Sequence, residues 1–143
     1  MNSLPSDGPL LGALCVWRES RNQIYPAMSG VAWTIVNRMA VPHWWNHNTA
    51  GDVAAVVMAP WQYTSMTGWG DPQLETYPQD SDPTWAQSQK AFNGAQSGTE
   101  PDPTSGANSY YDKSLDGNPP SWTKASSSEH KVDIGTLRFW KVA

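Results

Sequence analysis

The chain has 143 residues, 38% of them hydrophobic, with 13 acidic and 9 basic side chains and a net charge of −4. That length fits one domain, 1–143, with a sizeable core, and the acidic balance leaves no basic footprint for nucleic acid. The single cysteine, Cys15, excludes an intrachain disulfide, and no apolar run is long enough to span a membrane. Residues 1–8 lack a basic start followed by an apolar core, so no secretory leader is legible there.

Residues 9–20 read as a first helix. Leu11, Cys15 and Glu19 recur every fourth residue and share a face, which Leu10, Leu14 and Trp17 widen. The next helix, 26–39, is the clearest: Met28, Val31, Ala32, Ile35, Val36 and Met39 follow the spacing of a buried stripe. Pro26 suits its first turn, Gly30 permits close packing, and Pro42 stops it. A tryptophan-rich loop, 42–48, leads to a short helix at 50–58, capped by Asn48 or Thr49 with Val53, Val56 and Val57 inward.

Residues 61–82 form a long irregular stretch, and loops of that length in a compact domain are often functional. Asp82-Pro83 signals the start of a fourth helix, reaching about Gln96, with Trp85, Gln89, Phe92 and Ala95 on its inner face. Residues 97–106 are rich in breakers. Ser109-Tyr110-Tyr111 and residues 136–141 read as short strands, with Pro119-Pro120-Ser121-Trp122 in the loop between them. The expected fold is α+β, mainly helical, with four helices and a small C-terminal β element.

Two features carry chemistry. Glu19 ends an apolar seam within Trp17-Arg18-Glu19-Ser20-Arg21, a water-poor setting in which a carboxyl can serve as a general acid. Arg18 and Arg21 offer the competing reading, an ion pair that caps the helix end. Nine Trp and five Tyr stand against two Phe, and rings with an apolar face and a polar edge suit sugars. Gln62 can both donate to and accept from sugar hydroxyls or N-acetyl groups. Tyr63, Tyr110, Tyr111 and Trp122 offer faces for stacking, although strand alternation would leave only one of Tyr110 and Tyr111 on a cleft. Asn37 is a further candidate sugar contact, with a structural role as the alternative. Arg38 reads as a bridge between helix ends.

In this order the motifs resemble those of cell-wall hydrolases typified by the spore cortex-lytic enzymes, over about residues 10–142. Trp17-Arg18-Glu19-Ser20-Arg21 sits where that family has Gly-Glu-Ala-Arg. Gly30-Val31-Ala32-Trp33-Thr34-Ile35-Val36-Asn37-Arg38 matches its second-helix signature, and Gln62-Tyr63-Thr64 falls at its Gln-Phe-Ser. Asp102-Pro103-Thr104-Ser105-Gly106-Ala107, Tyr110-Tyr111 and Ile134-Gly135 with Phe139 complete the match. Arg18 and Ser20 depart from the family pattern, and the segments 61–82 and 114–133 look longer than usual.

The resemblance implies a lysozyme-like fold and cleavage of peptidoglycan glycan strands at the MurNAc-GlcNAc bond, by a lytic transglycosylase or a muramidase. Glu19 would be the catalytic acid. Ordinary hydrolysis needs a second carboxylate, for which Asp71, Glu75, Asp82 and Asp112 are the candidates. A transglycosylase needs only one acid/base. The partner would be the glycan strand, with no nucleic acid or membrane, and the expected state is a monomer. Such an enzyme would reach the wall as a phage endolysin released through a holin, or as a secreted enzyme with its leader removed.

Three alternatives compete. A glycan-binding module of the same fold would keep the aromatic platform and not need Glu19. A cysteine amidase would need Cys15, which sits in an apolar seam where cysteine behaves as a small hydrophobe. A zinc enzyme would need converging ligands, but His43, His47 and His130 form no metal-binding motif. No metal or other cofactor is expected.

Overall fold

The computed structural model describes all 143 residues. Five α-helices precede a three-stranded sheet: α1 (Gly8–Ser20), α2 (Tyr25–Met39), α3 (Val53–Val57), α4 (Thr64–Thr67) and α5 (Pro83–Ser97), then β1 (Ser109–Asp112), β2 (Glu129–Ile134) and β3 (Leu137–Lys141). The class is α+β and the arrangement mainly helical.

Local chemistry sets the helix boundaries. Asp7, Asp52 and Asp82 each accept hydrogen bonds from backbone N–H groups at the start of α1, α3 and α5. Asp52, rather than Asn48 or Thr49, is therefore the cap of α3. Prolines occupy the first turns of α1, α2 and α5, where the missing N–H costs nothing. Gly98, in the left-handed conformation, closes α5.

α1 is the central helix. Every residue from Leu11 to Arg18 is buried, because α2, α3, α4 and α5 all pack around it. The single seam expected from Leu11, Cys15 and Glu19 is thus only part of a helix enclosed on nearly all sides. Leu10, expected on the seam, lies exposed on the first turn.

Two glycines let the layers approach. A Cβ on Gly12 would lie 2.3 Å from the Phe92 ring, and one on Gly30 would lie 2.6 Å from the Phe139 ring. Glycine at these positions brings α5 onto α1 and the sheet onto α2.

The sheet has the order β1-β3-β2 and is antiparallel throughout, with Tyr110 opposite Phe139. β3 alternates as its sequence predicts: Leu137 and Phe139 are buried and Arg138 is half-exposed. β2 is an additional strand where the sequence pattern predicts a loop. It is an edge strand, with only one neighbour, and its Glu-His-Lys-Val-Asp-Ile sequence carries charge rather than apolar alternation. No helix is long and apolar enough to cross a membrane.

Candidate active site

A cleft of about 550 Å³ opens at the C-terminal end of α1, between the loops that follow α2 and α3 and the β1 side of the sheet. Glu19 lies in its lining, half-buried on the last turn of α1. The Tyr110 hydroxyl donates a hydrogen bond to Glu19 Oε1. Burial, and next the nearby Glu19 carboxylate, hold the Tyr110 phenol well above its ordinary pKa, so it remains a donor throughout the neutral range. The tyrosine thereby fixes one carboxylate oxygen and leaves the other unclaimed by any protein hydrogen bond.

The delivery of Tyr110 to Glu19 traces back to Asn37 and Arg38 on the last turn of α2. Asn37 Nδ2 donates to Asp102 Oδ2 (3.0 Å) and to the Ala107 carbonyl (2.8 Å). Asp102 also accepts from the Thr104 N–H and hydroxyl and from the Gly106 N–H, folding 102–107 into a closed turn. Arg38 continues the latch. Its Nε donates to the Asn108 carbonyl at 2.6 Å, and its other nitrogens reach Gln62 Oε1 and Ser109 Oγ. Together these bonds set where β1 begins, and hence where Tyr110 stands. Arg38 therefore bridges α2 to β1 and to the Gln62 loop.

Arg18 has a role that its sequence position did not reveal. It is only 4% exposed and makes no ion pair with Glu19; the chain's four ion pairs involve only residues 116–138. Its guanidinium donates to the carbonyls of Thr76 (3.0 Å), Ser65 (3.2 Å) and Leu74 (3.1 Å). Arg21 similarly donates to Gln73 Oε1 at 2.7 Å and lies over the Trp17 ring. The helix-end ion pair considered from sequence is thus replaced by two arginines that bind the long loop 61–82 to α1. That loop is not irregular throughout, since it contains α4 and a 3-10 turn, Pro72–Glu75.

Five of the six candidate sugar contacts line the cleft: Gln62, Tyr63, Tyr110, Tyr111 and Trp122. Both strand tyrosines reach it, contrary to the alternation argument. Tyr111 does so beside Trp122, ring edge to face at 6.1 Å. Tyr63 contributes little surface. It is 2% exposed, its hydroxyl pairs with Thr34 Oγ1 at 3.1 Å, and burial pushes its phenol up to about 12. Asn37 is outside the lining, with its amide committed to the Asp102 turn. Sequence reasoning missed Trp44, Trp61 and Arg38 as cleft residues.

Among the candidate second carboxylates only Asp112 lines the cleft. Its Oδ1 accepts from the Ser114 N–H (2.9 Å) and its Oδ2 from the Thr136 hydroxyl (2.7 Å). Those bonds, led by the Ser114 N–H, hold its carboxyl below the usual range. Asp82 caps α5 and accepts from the Trp17 indole. Asp71 caps the 72–75 turn, and Glu75 lies with it beside a separate hollow that also includes Trp69. Cys15 is fully buried, and burial holds its thiol well above its ordinary value. No three His, Cys, Asp or Glu residues converge as a metal site.

A mainly helical domain with a small sheet, and a carboxylate at the end of its central helix facing an aromatic-lined cleft, places the protein in the lysozyme-like class of enzymes. A family model described as Cell Wall Hydrolase matches residues 22–140, and the chain belongs to that family. The matched stretch begins just after Glu19, so the family match itself does not include the acidic corner. Two solved structures are similar over nearly the whole chain. The catalytic domain of the Bacillus cereus SleB protein is 26% identical, with a TM-score of 0.66, covering 99% of this chain and 94% of that one. The catalytic domain of the germination-specific lytic transglycosylase SleB from Bacillus anthracis is 25% identical, with a TM-score of 0.67, covering 99% of each. A search of curated protein sequences gives no significant match.

Proposed function

We propose that this cell wall hydrolase is a peptidoglycan lytic transglycosylase that cleaves the MurNAc-GlcNAc bond with Glu19 as its acid and base. The observation that carries the reading is a cleft carboxylate with one oxygen held by Tyr110 and no other carboxylate free to share its work. The similar catalytic domain from Bacillus anthracis, a germination-specific lytic transglycosylase, supports the same choice.

In the first step the Glu19 carboxyl gives its proton to the bridging oxygen. The C1–O bond breaks, GlcNAc leaves with a hydroxyl, and C1 of MurNAc gains oxocarbenium character. In the second step the Glu19 carboxylate takes the proton from the MurNAc 6-hydroxyl. O6 bonds to C1, the 1,6-anhydro ring closes, and Glu19 is again protonated. No water is consumed. Tyr110 keeps the carboxylate oriented through both transfers, while Gln62, Tyr111 and Trp122 offer polar and stacking contacts to the sugars.

A second reading is muramidase hydrolysis, favoured by one observation: Asp112 lies in the same cleft. Against it, both Asp112 oxygens already accept protein hydrogen bonds, so activating a water would require breaking one of them. Mass spectrometry of digested peptidoglycan separates the two readings. Products ending in 1,6-anhydromuramic acid support the transglycosylase, and reducing muramic acid ends point to hydrolysis. Binding without any cleavage would leave a glycan-binding module.

A further inference from the structure

Two indoles at the rim of the cleft remain unexplained by the chemistry above. Trp61 and Trp44 both line it, and they stay 63% and 53% exposed. The backbone that carries Trp61 and the ring of Trp44 are each fixed by their surroundings. Trp61 has φ +63°, in the left-handed region that a bulky residue rarely adopts. Its backbone N–H donates to Thr67 Oγ1 at 3.0 Å, and that hydroxyl donates on to the Ala59 carbonyl at 3.4 Å. Trp44 contacts the Trp45 ring edge to face at 5.5 Å. Trp45 is buried, and its indole donates to the Arg38 and Val41 carbonyls.

Neither indole repays its placement through burial. Glycine at position 61 would adopt the same φ without strain, and a small polar side chain at position 44 would expose less apolar surface. Strain and exposure that stability does not require point to function. Sugar rings suit such a surface, since their C–H faces pack on indoles while their hydroxyls stay in water.

We propose that Trp61 and Trp44 form a stacking subsite that holds a pyranose ring of the glycan strand by its apolar face, apart from the ring attacked at Glu19. The proposal rests on the reading of this cleft as glycan-cleaving. It makes the two residues determinants of affinity for the strand and not participants in bond breaking.

The test is titration of a tetrasaccharide of alternating N-acetylglucosamine and N-acetylmuramic acid into Glu19→Gln protein, with and without Trp61→Gly or Trp44→Ala, followed by calorimetry. Losing one aromatic contact should weaken binding about three- to tenfold. Trp61→Gly should leave Tm unchanged or higher, Trp61→Phe should recover most of the affinity, and in the active enzyme KM should rise while kcat stays. Unchanged affinity in both indole variants overturns the proposal. So does a drop in Tm for Trp61→Gly with binding intact, which would make the indole structural. So does a failure of the parent Glu19→Gln protein to bind the tetrasaccharide. If Glu19→Gln retains turnover, the catalytic reading fails while the KM of the indole variants against that of their parent still decides the subsite.

Discussion

Tyr110 and Glu19, 91 residues apart in the chain, are joined by a hydrogen bond from the tyrosine hydroxyl to the carboxylate. That bond links the first helix to the first strand at the point where the cleft is deepest in chemistry. A hydrogen bond to a charged group contributes about 1.5–3 kcal/mol, which corresponds to roughly a ten- to hundredfold change in rate if it is made in the transition state. Tyr110→Phe should lower kcat by that amount and also lower Tm by a few degrees, because the bond is already made in the folded protein, while the ring and its packing on Phe139 remain. Steady-state kinetics and thermal melts would check it.

Asn37 separates a structural role from a binding role. Its amide serves the Asp102 turn and the Ala107 carbonyl, so Asn37→Ala should cost about 1–3 kcal/mol of stability. Denaturant unfolding should show this loss. Because the same bonds set where Tyr110 stands, kcat should fall along with stability, whereas a direct sugar contact would show first as lost glycan affinity in a Glu19→Gln background of undiminished stability.

Arg18 holds three loop carbonyls with one planar fork. Arg18→Met keeps the apolar bulk but leaves the buried Ser65 carbonyl and the two partly buried carbonyls of Leu74 and Thr76 without their donor, at a cost of about 3 kcal/mol. Arg18→Lys should recover little, because an ammonium cannot reproduce the fork geometry. Hydrogen exchange in residues 65–76 should rise in both variants. Protection equal to wild type would show that the loop is held by other contacts.

Stability should fall at both ends of the pH range, for different groups. Asp82, Asp112 and Asp116 are held below the ordinary carboxylate range, chiefly by Thr84, the Ser114 N–H and Arg138 respectively. Their contribution is complete above about pH 5 and is lost as pH falls through about 4 and below, because the unfolded chain then binds the additional protons. Tyr63 and Tyr110 are raised, first by burial. Their contribution is complete below about pH 9 and declines once the unfolded tyrosines begin to ionise near 10. Tm measured from pH 3 to 11 should show a plateau between these limits, and Asp112→Asn should soften the acidic edge.

What the sequence revealed follows from which forces leave local patterns. α2 and α5 were legible because their buried stripes and caps are written within one helix: Val31, Ile35 and Met39 for the first, Asp82 and Pro83 for the second. The position of Glu19 at the end of an apolar helix was legible from the four-residue spacing of Leu11, Cys15 and Glu19, while its role as the acid rests on the family resemblance. Arg18 was not, because its partners are backbone carbonyls some 47 to 58 positions away in an irregular loop, and carbonyls carry no residue code. β2 was hidden by its exposed edge position. Trp44 and Trp61 were visible only as aromatic residues in loops; what marks them is exposure at the cleft together with a left-handed backbone at Trp61, and neither can be read from residue type. Residue type alone leaves the Asn37 amide open to sugar or to backbone, and the Asp102 turn that claims it is 65 residues distant.

The central claim is that Glu19 moves the proton. The most direct measurement compares wild type and Glu19→Gln on purified peptidoglycan, following anhydromuramic acid ends by mass spectrometry and tetrasaccharide binding by calorimetry. The account predicts a loss of turnover of roughly 10²–10⁴-fold or more, with binding retained and the variant folded. Turnover close to wild type in Glu19→Gln would contradict it and move the search for the acid to another residue of the cleft.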